Sequence, residues 1–284
     1  MFILFRSILV FFVALVILIM VSMAVGQQRE YPPLVYIAKT NTQDEIRLLD
    51  INTGFWVKVA QHDSFGAVDV SPQGDILVTT HAAVGSILNT LSPNMTEIVY
   101  GTDDNPTWSP AADRIAYRRY YYQGGLYVYT VGRWPPRPLH ILATAITWSP
   151  DGRSLAYSRW NEISDQEEIR TIDIITREDT LVVGWRKPVR HMRWSPDGSQ
   201  IALTTIAGEF HLFDLATQQF TQHLVDTSNV RSAQWSPDGK YLGVISTRRG
   251  ISTLNVFNTA QAEPVQFTLD DLNRVSSFDW WSAK

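Results

Sequence analysis

From Ile8 to Val21 every residue is apolar, and Ser22 is the one polar residue before Val25. Eighteen helical residues at 1.5 Å rise cover roughly 27 Å, close to the apolar thickness of a bilayer. Arg6 precedes the run and the next charge is Arg29, so the positive-inside rule places the N-terminus in the cytoplasm and the remainder outside. Residues 1–26 are therefore expected to form one transmembrane signal-anchor, and residues 27–33 (Gln-Gln-Arg-Glu-Tyr-Pro-Pro) a Pro-stiffened linker. Ser22-Met23-Ala24 has the small-x-small form of a signal-peptidase site. Cleavage there, leaving a secreted or periplasmic chain, is the alternative.

After the linker the pattern becomes short strand-like runs broken by Pro, Asp and Gly. One break recurs: Trp108-Ser109-Pro110, then Trp148-Ser149-Pro150-Asp151-Gly152, Trp194-Ser195-Pro196-Asp197-Gly198 and Trp235-Ser236-Pro237-Asp238-Gly239. Val70-Ser71-Pro72-Gln73-Gly74 is a weaker copy, and Trp281-Ser282 reads as a truncated one. The serines are spaced by 38, 40, 46, 41 and 46 residues. Pro presets φ for the first central turn position, Asp suits the next, and Gly accepts positive φ. Such a sequence closes a hairpin between two strands. After each turn a small residue recurs at one position, as in Ile115-Ala116-Tyr117, Leu155-Ala156-Tyr157, Ile201-Ala202-Leu203 and Leu242-Gly243-Val244. Inner strands crowded around an axis need small side chains.

A period of about 40 residues with four strands is the arithmetic of a propeller blade. Leu34–Lys39, Glu45–Ile51 and Phe55–Ala60 supply three strands, and Val275–Trp281 supplies the missing innermost one. The expected fold is all-β: a six-bladed β-propeller over residues 34–284, closed by the C-terminal strand joining the N-terminal blade and preceded by one transmembrane helix. Closure removes free sheet edges. The Trp-Ser-Pro-Asp-Gly repeats resemble those of the TolB-like six-bladed propellers, a pattern also seen in the propeller domains of prolyl oligopeptidase-type enzymes. WD-repeat proteins are a poorer match, because the Trp-Asp dipeptide is missing. The first copy departs at Val70 and Gln73, and Pro110 is followed by Ala111-Ala112-Asp113; altered turns are expected in those two blades.

The remaining composition narrows the chemistry. The chain has 284 residues, no cysteine and a formal charge of -4. Disulfides, thiolate metal sites and thiol nucleophiles are excluded, and the charge gives no support for nucleic-acid binding. No Gly-x-Ser-x-Gly elbow, HExxH helix or phosphate loop occurs. The six histidines are scattered across blades, so neither a metal nor a cofactor is expected. The acidic Asp103-Asp104-Asn105 reads as a solvated turn in preference to a calcium loop.

Two sets of candidate functional residues remain. Opposite the Ser-Pro-Asp-Gly turns, blade loops should present Arg119, Tyr120, Tyr121, Tyr122, Arg159, Trp160, Arg248 and Arg249, together with Arg190 and His191. These are interface-anchor residue types on a rigid scaffold. Trp160 falls in an expected charged loop spanning 158–168. The second set, Asp69, Thr107, Thr147, Arg193 and Gln234, with Arg190 and His191 near the same mouth, should line the axial channel. The function expected first is a membrane-anchored, non-catalytic protein-interaction scaffold in the cell envelope, with an unidentified protein partner. The alternatives are a small-ligand receptor or hydrolase using the channel, and an accessory propeller for a separately encoded peptidase.

Overall fold

The computed structural model describes residues 31–80, 84–88, 95–100, 106–119, 125–222, 229–248, 251–259, 264–268 and 275–281. The apolar N-terminal run, Asp103-Asp104-Asn105, Tyr120–Tyr122 and Arg249 lie outside the described residues. Among the described residues every element is a strand, and no helix is long and apolar enough to cross a membrane.

The strands make six four-stranded antiparallel sheets. The closing blade orders β24 (Val275–Trp280), β1 (Leu34–Lys39), β2 (Asp44–Asp50) and β3 (Phe55–His62) from the axis outwards. The first blade in the chain holds β4 (Phe65–Val70), β5 (Ile76–Thr80), β6 (Val84–Leu88) and β7 (Met95–Tyr100); the second holds β8 (Thr107–Trp108), β9 (Arg114–Arg119), β10 (Gly125–Thr130) and β11 (Arg133–Pro138). The third holds β12 (Ala145–Trp148), β13 (Ser154–Asn161), β14 (Gln166–Asp173) and β15 (Asp179–Trp185). The fourth holds β16 (Val189–Trp194), β17 (Gln200–Thr205), β18 (Phe210–Asp214) and β19 (Gln219–Gln222). The fifth holds β20 (Val230–Trp235), β21 (Tyr241–Arg248), β22 (Ile251–Asn258) and β23 (Pro264–Thr268). The innermost strands β24, β4, β8, β12, β16 and β20 each touch the next around a closed ring.

The core lies between blades. One buried cluster packs Val35, Ile37 and Leu48 of the closing blade on Phe65, Val68 and Val78 of the first. Another packs Phe278 and Trp280 on Ile245 and Leu254 of the fifth. The small residue after each turn follows from this packing. A Cβ built on Gly243 would lie 2.9 Å from Phe278 and 3.0 Å from Trp280, so the neighbouring blade's rings occupy the space a side chain would need.

The Ser-Pro-Asp-Gly turns explain their own composition. Ser195 N–H donates to the Gln200 carbonyl and Gly198 N–H to the Ser195 carbonyl. The Ser195 hydroxyl donates to Asp197 at 2.6 Å and accepts the Gln200 N–H at 2.9 Å. Gly198 sits at φ +79, a region that favours glycine. The second-blade turn keeps the same span, with Ala112 at φ 56 in place of glycine and Asp113 bonded to Ser109. The first-blade turn is one residue shorter, Ser71 N–H donating to Asp75. The prolines bind blade to blade: the Cβ position of Gly152 faces Pro110 at 3.6 Å, and that of Gly198 faces Pro150 at 3.8 Å.

Three expectations need correction. The charged segment 158–168 is not a loop, because β13 and β14 pair Arg159 with Glu168 and Trp160 with Glu167, leaving only 162–165 as the turn. Arg133–Pro138, whose three prolines read in the sequence as a connector, is the outermost strand of its blade. In the closing strand Trp280, not Trp281, occupies the repeat position: Trp280 pairs with Leu34, as Trp148 pairs with Leu155 and Trp235 with Leu242.

Candidate functional site

The residue just before each repeat tryptophan points into the axis. Register fixes this, since Thr107, Thr147, Arg193 and Gln234 stand opposite the small residues Ala116, Ala156, Ala202 and Gly243. Asp69 and Asp279 complete the ring opposite Leu77 and Val35. These six side chains floor a cavity of about 480 Å³ that opens on the Ser-Pro-Asp-Gly face, walled by the motif prolines and by Trp108, Trp148, Trp194, Trp235 and Trp280.

Most of the ring knits blades together. The Asp69 carboxylate accepts the Trp108 N–H of the next blade at 2.7 Å. Asp279 accepts the Val70 N–H of its next blade at 2.7 Å and its neighbour Trp280 N–H at 2.9 Å. The Thr147 hydroxyl accepts the Trp194 N–H at 3.1 Å. Arg193 spans the channel, donating from Nη2 to Asp69 at 3.0 Å and from Nε to Gln234 at 2.6 Å. The tryptophans add a second set of stitches: Trp148, Trp235 and Trp280 donate their indole N–H to the carbonyls of Thr107, Arg193 and Gln234 in the preceding blades. Trp194 instead donates to Gly198 in its own turn.

Two carboxyl groups share one guanidinium here, and that sets their protonation. Burial raises the pKa of Asp69, and the charge of Arg193 opposes the rise. Burial, and then the charge of Asp69, push Asp279 up to about 8, with Arg193 opposing. Like charges in one dry site cannot both ionise cheaply. Both carboxyls are thus displaced towards the neutral form, Asp279 the further because it faces the Asp69 charge and Asp69 alone bonds the guanidinium directly.

The structure divides the axial candidates between two mouths. Asp69, Thr107, Thr147, Arg193 and Gln234 lie together on the turn face, whereas Arg190 and His191 line a separate cavity at the opposite end. Their expected common mouth is therefore corrected: β16 runs along the axis, and His191 and Arg190 lie two and three positions from Arg193, at about 3.3 Å per residue, towards the other end. Asp279 belongs to the ring and escaped the sequence reading, because Trp281-Ser282 imitates the motif one residue late. The signal was present in Asp279-Trp280, the same polar-then-tryptophan order as Thr147-Trp148.

Of the expected partner-binding set, Arg119, Arg159, Trp160 and Arg248 stand at the ends of β9, β13 and β21, opposite the turns. Arg159 is engaged, donating twice to Glu168 at 3.1 and 3.0 Å. Arg119 lies over the Tyr127 ring at 5.3 Å. Trp160 is 44% exposed. Among the described residues no group of three His, Asp or Glu could hold a metal ion.

A closed ring of four-stranded blades around a polar axis defines a β-propeller, and the comparisons agree at the level of fold. The fold is shared with TolB from Acinetobacter baumannii (TM-score 0.77, 12% identity, 92% of this chain and 70% of that one). It is also shared with a putative TolB from Agrobacterium tumefaciens (TM-score 0.69, 17% identity, 81% and 89%). A chain of a nidogen/laminin complex is similar as well (TM-score 0.70, 11% identity, 89% and 100%). The resemblance to TolB-like propellers holds for the fold. The WD domain, G-beta repeat family matches residues 215–248, a stretch that crosses a blade boundary from the turn before β19 to β21. No curated protein matches the sequence.

Proposed function

We propose that this chain is a membrane-anchored, extracytoplasmic propeller that binds a protein partner without catalysis, accepting a segment of that partner in the turn-face cavity. The observation that carries this reading is the state of the polar floor. Asp69, Thr147, Arg193 and Asp279 are already committed to hydrogen bonds between blades, while the cavity walls are proline and tryptophan faces. Fixed polar groups under an aromatic rim suit recognition. The one floor hydroxyl bonded to a carboxylate is Thr107 on Asp69, and that carboxylate is already held by the Trp108 N–H and the Arg193 guanidinium.

The position of the N-terminus adds an orientation. Trp281 N–H donates to Pro33, and Tyr31 bonds Asn52 in the β2–β3 turn, so the chain joins the propeller on the turn face. Residues 27–30 alone separate Gly26 from Tyr31, and those five residue steps reach at most about 18 Å. With residues 1–26 in the bilayer, the turn-face cavity is held close to the membrane surface and its partner is membrane-proximal.

Photo-crosslinking in membranes tests this. A photoreactive side chain at Pro110 or Pro237, on the rim, is expected to capture a discrete protein. Capture only from Trp160 or Arg248, or from none of the four, would overturn the reading. A second reading is favoured by the convergence of Asp69, Arg193 and Gln234 within hydrogen-bond reach: a receptor for a small polar molecule. A saturable rise in melting temperature with such compounds, lost in Gln234→Ala, would select it over the protein partner.

A further inference from the structure

The opposite end of the axis has different chemistry. Arg190, Arg231 and Ser276 each stand four residues before a repeat tryptophan, so β16, β20 and β24 bring them to one level. With Arg118 from β9, and with His191 and Ser232, they line a cavity of about 460 Å³. No carboxylate is among the described residues that line it. The side chains of Arg190 and Arg231 make no hydrogen bond or ion pair with any other described residue. Arg118 is oriented by donating from Nη1 to the Ala143 carbonyl at 3.0 Å. The Ser276 hydroxyl is buried and has no partner among the described residues.

Three guanidinium groups facing one concave space repel each other, and an unpartnered buried hydroxyl is costly. Both costs are removed by one kind of occupant. Guanidinium forks match the oxygens of a phosphate group, and hydroxyls donate to the remaining ones. The volume falls in the range of small-molecule sites. We infer that this mouth is an oxyanion site for a small molecule carrying a phosphate-type group. The site is separate from the turn-face cavity and does not depend on what that cavity binds. Burial, with the charges of Arg193, Arg190 and Arg118, lowers the pKa of His191 to about 3. A bound dianion would cancel part of that repulsion, so His191 reports occupancy.

The test is calorimetric titration of the full chain with inorganic phosphate, pyrophosphate and citrate against sodium chloride of matched ionic strength. Saturable binding of phosphate or pyrophosphate is expected. Arg190→Gln or Arg231→Gln should each weaken it roughly tenfold, the loss of one charge-assisted contact, while Arg133→Gln on the turn face leaves it unchanged. In parallel, the His191 ring resonances should shift with phosphate and its pKa should move up. Binding that only follows ionic strength, or that is equal in all three variants, overturns the proposal. Tighter binding of citrate than of pyrophosphate would also overturn it, as would binding seen only in an Asp103→Asn/Asp104→Asn chain, which would mean that the chain's own acidic segment satisfies the arginines.

Discussion

At the residue scale, the molecule is governed by what the axis permits. Gly243 is small because Phe278 and Trp280 lie where its Cβ would be. Gly243→Ala should therefore cost about 1–3 kcal/mol by overpacking, read as a lower urea midpoint with an unchanged slope. Asp279 and His191 make opposite contributions to pH dependence. The Asp279 carboxyl is raised from 3.8 to about 8, so the folded state holds a proton that the unfolded state has lost, and stability falls as pH rises through that window. His191 is lowered from 6.5 to about 3. There the unfolded state takes the proton, and stability falls as pH drops below about 6.5. Asp279→Asn should flatten the alkaline side of the melting profile and His191→Gln the acid side; an unchanged profile in either variant would contradict the assigned environment. The polar ring was largely legible because one position beside a recurring tryptophan names it. The arginine mouth was not, since Arg118 and Arg231 carry no motif and only the register of β9 and β20 brings them together.

At the element scale, the repeat motif is a self-contained hairpin in which serine is the fastener. The Ser149, Ser195 and Ser236 hydroxyls each accept the N–H five residues on and each hydroxyl contacts the motif aspartate. Removing one by Ser195→Ala leaves the Gln200 N–H without that partner and should cost about 1–2 kcal/mol, measured by denaturant unfolding. Ser195→Thr, which keeps the hydroxyl, should recover most of the loss. The hairpins opposite the turns were harder to read. The segment 158–168 looked like a solvated loop because it is charged, but Arg159 and Glu168 stand opposite each other across β13 and β14. Arg159 and Arg170 both reach Glu168 from neighbouring positions, which supports β13 and β14 well past the axis. Charge density alone does not separate a loop from an exposed two-stranded ribbon; cross-strand register does.

At the scale of the whole molecule, closure is the feature on which the ring depends. β24 pairs with β1 across nearly the whole chain, and Phe278 and Trp280 are 0% and 2% exposed between the closing and fifth blades. Without this strand the closing blade has no inner edge, Val70 loses the Asp279 acceptor, and the Gln234 carbonyl loses the Trp280 indole. A chain ending at residue 274 should consequently lose its cooperative melt and expose apolar surface to a hydrophobic dye. The equivalence of the Trp280–Leu34 pair with the Trp148–Leu155 pair allows a stricter test. Six residues, Ser149 to Ser154, separate the latter pair. A permuted propeller that begins with residues 275–280, continues through Ser-Pro-Asp-Gly-Arg-Ser and resumes at Leu34, ending at residue 268, converts the long-range closure into one more local hairpin. Loop-closure cost grows only slowly with length, so the permutant should regain a cooperative melt close to that of the parent. Recovery is tied to register, because a one-residue slip would turn Asp279 out of the axis and Phe278 out of the core. If the permutant stays as non-cooperative as the truncated chain, the assignment of Trp280 to the repeat position fails, and with it the place of Asp279 in the ring.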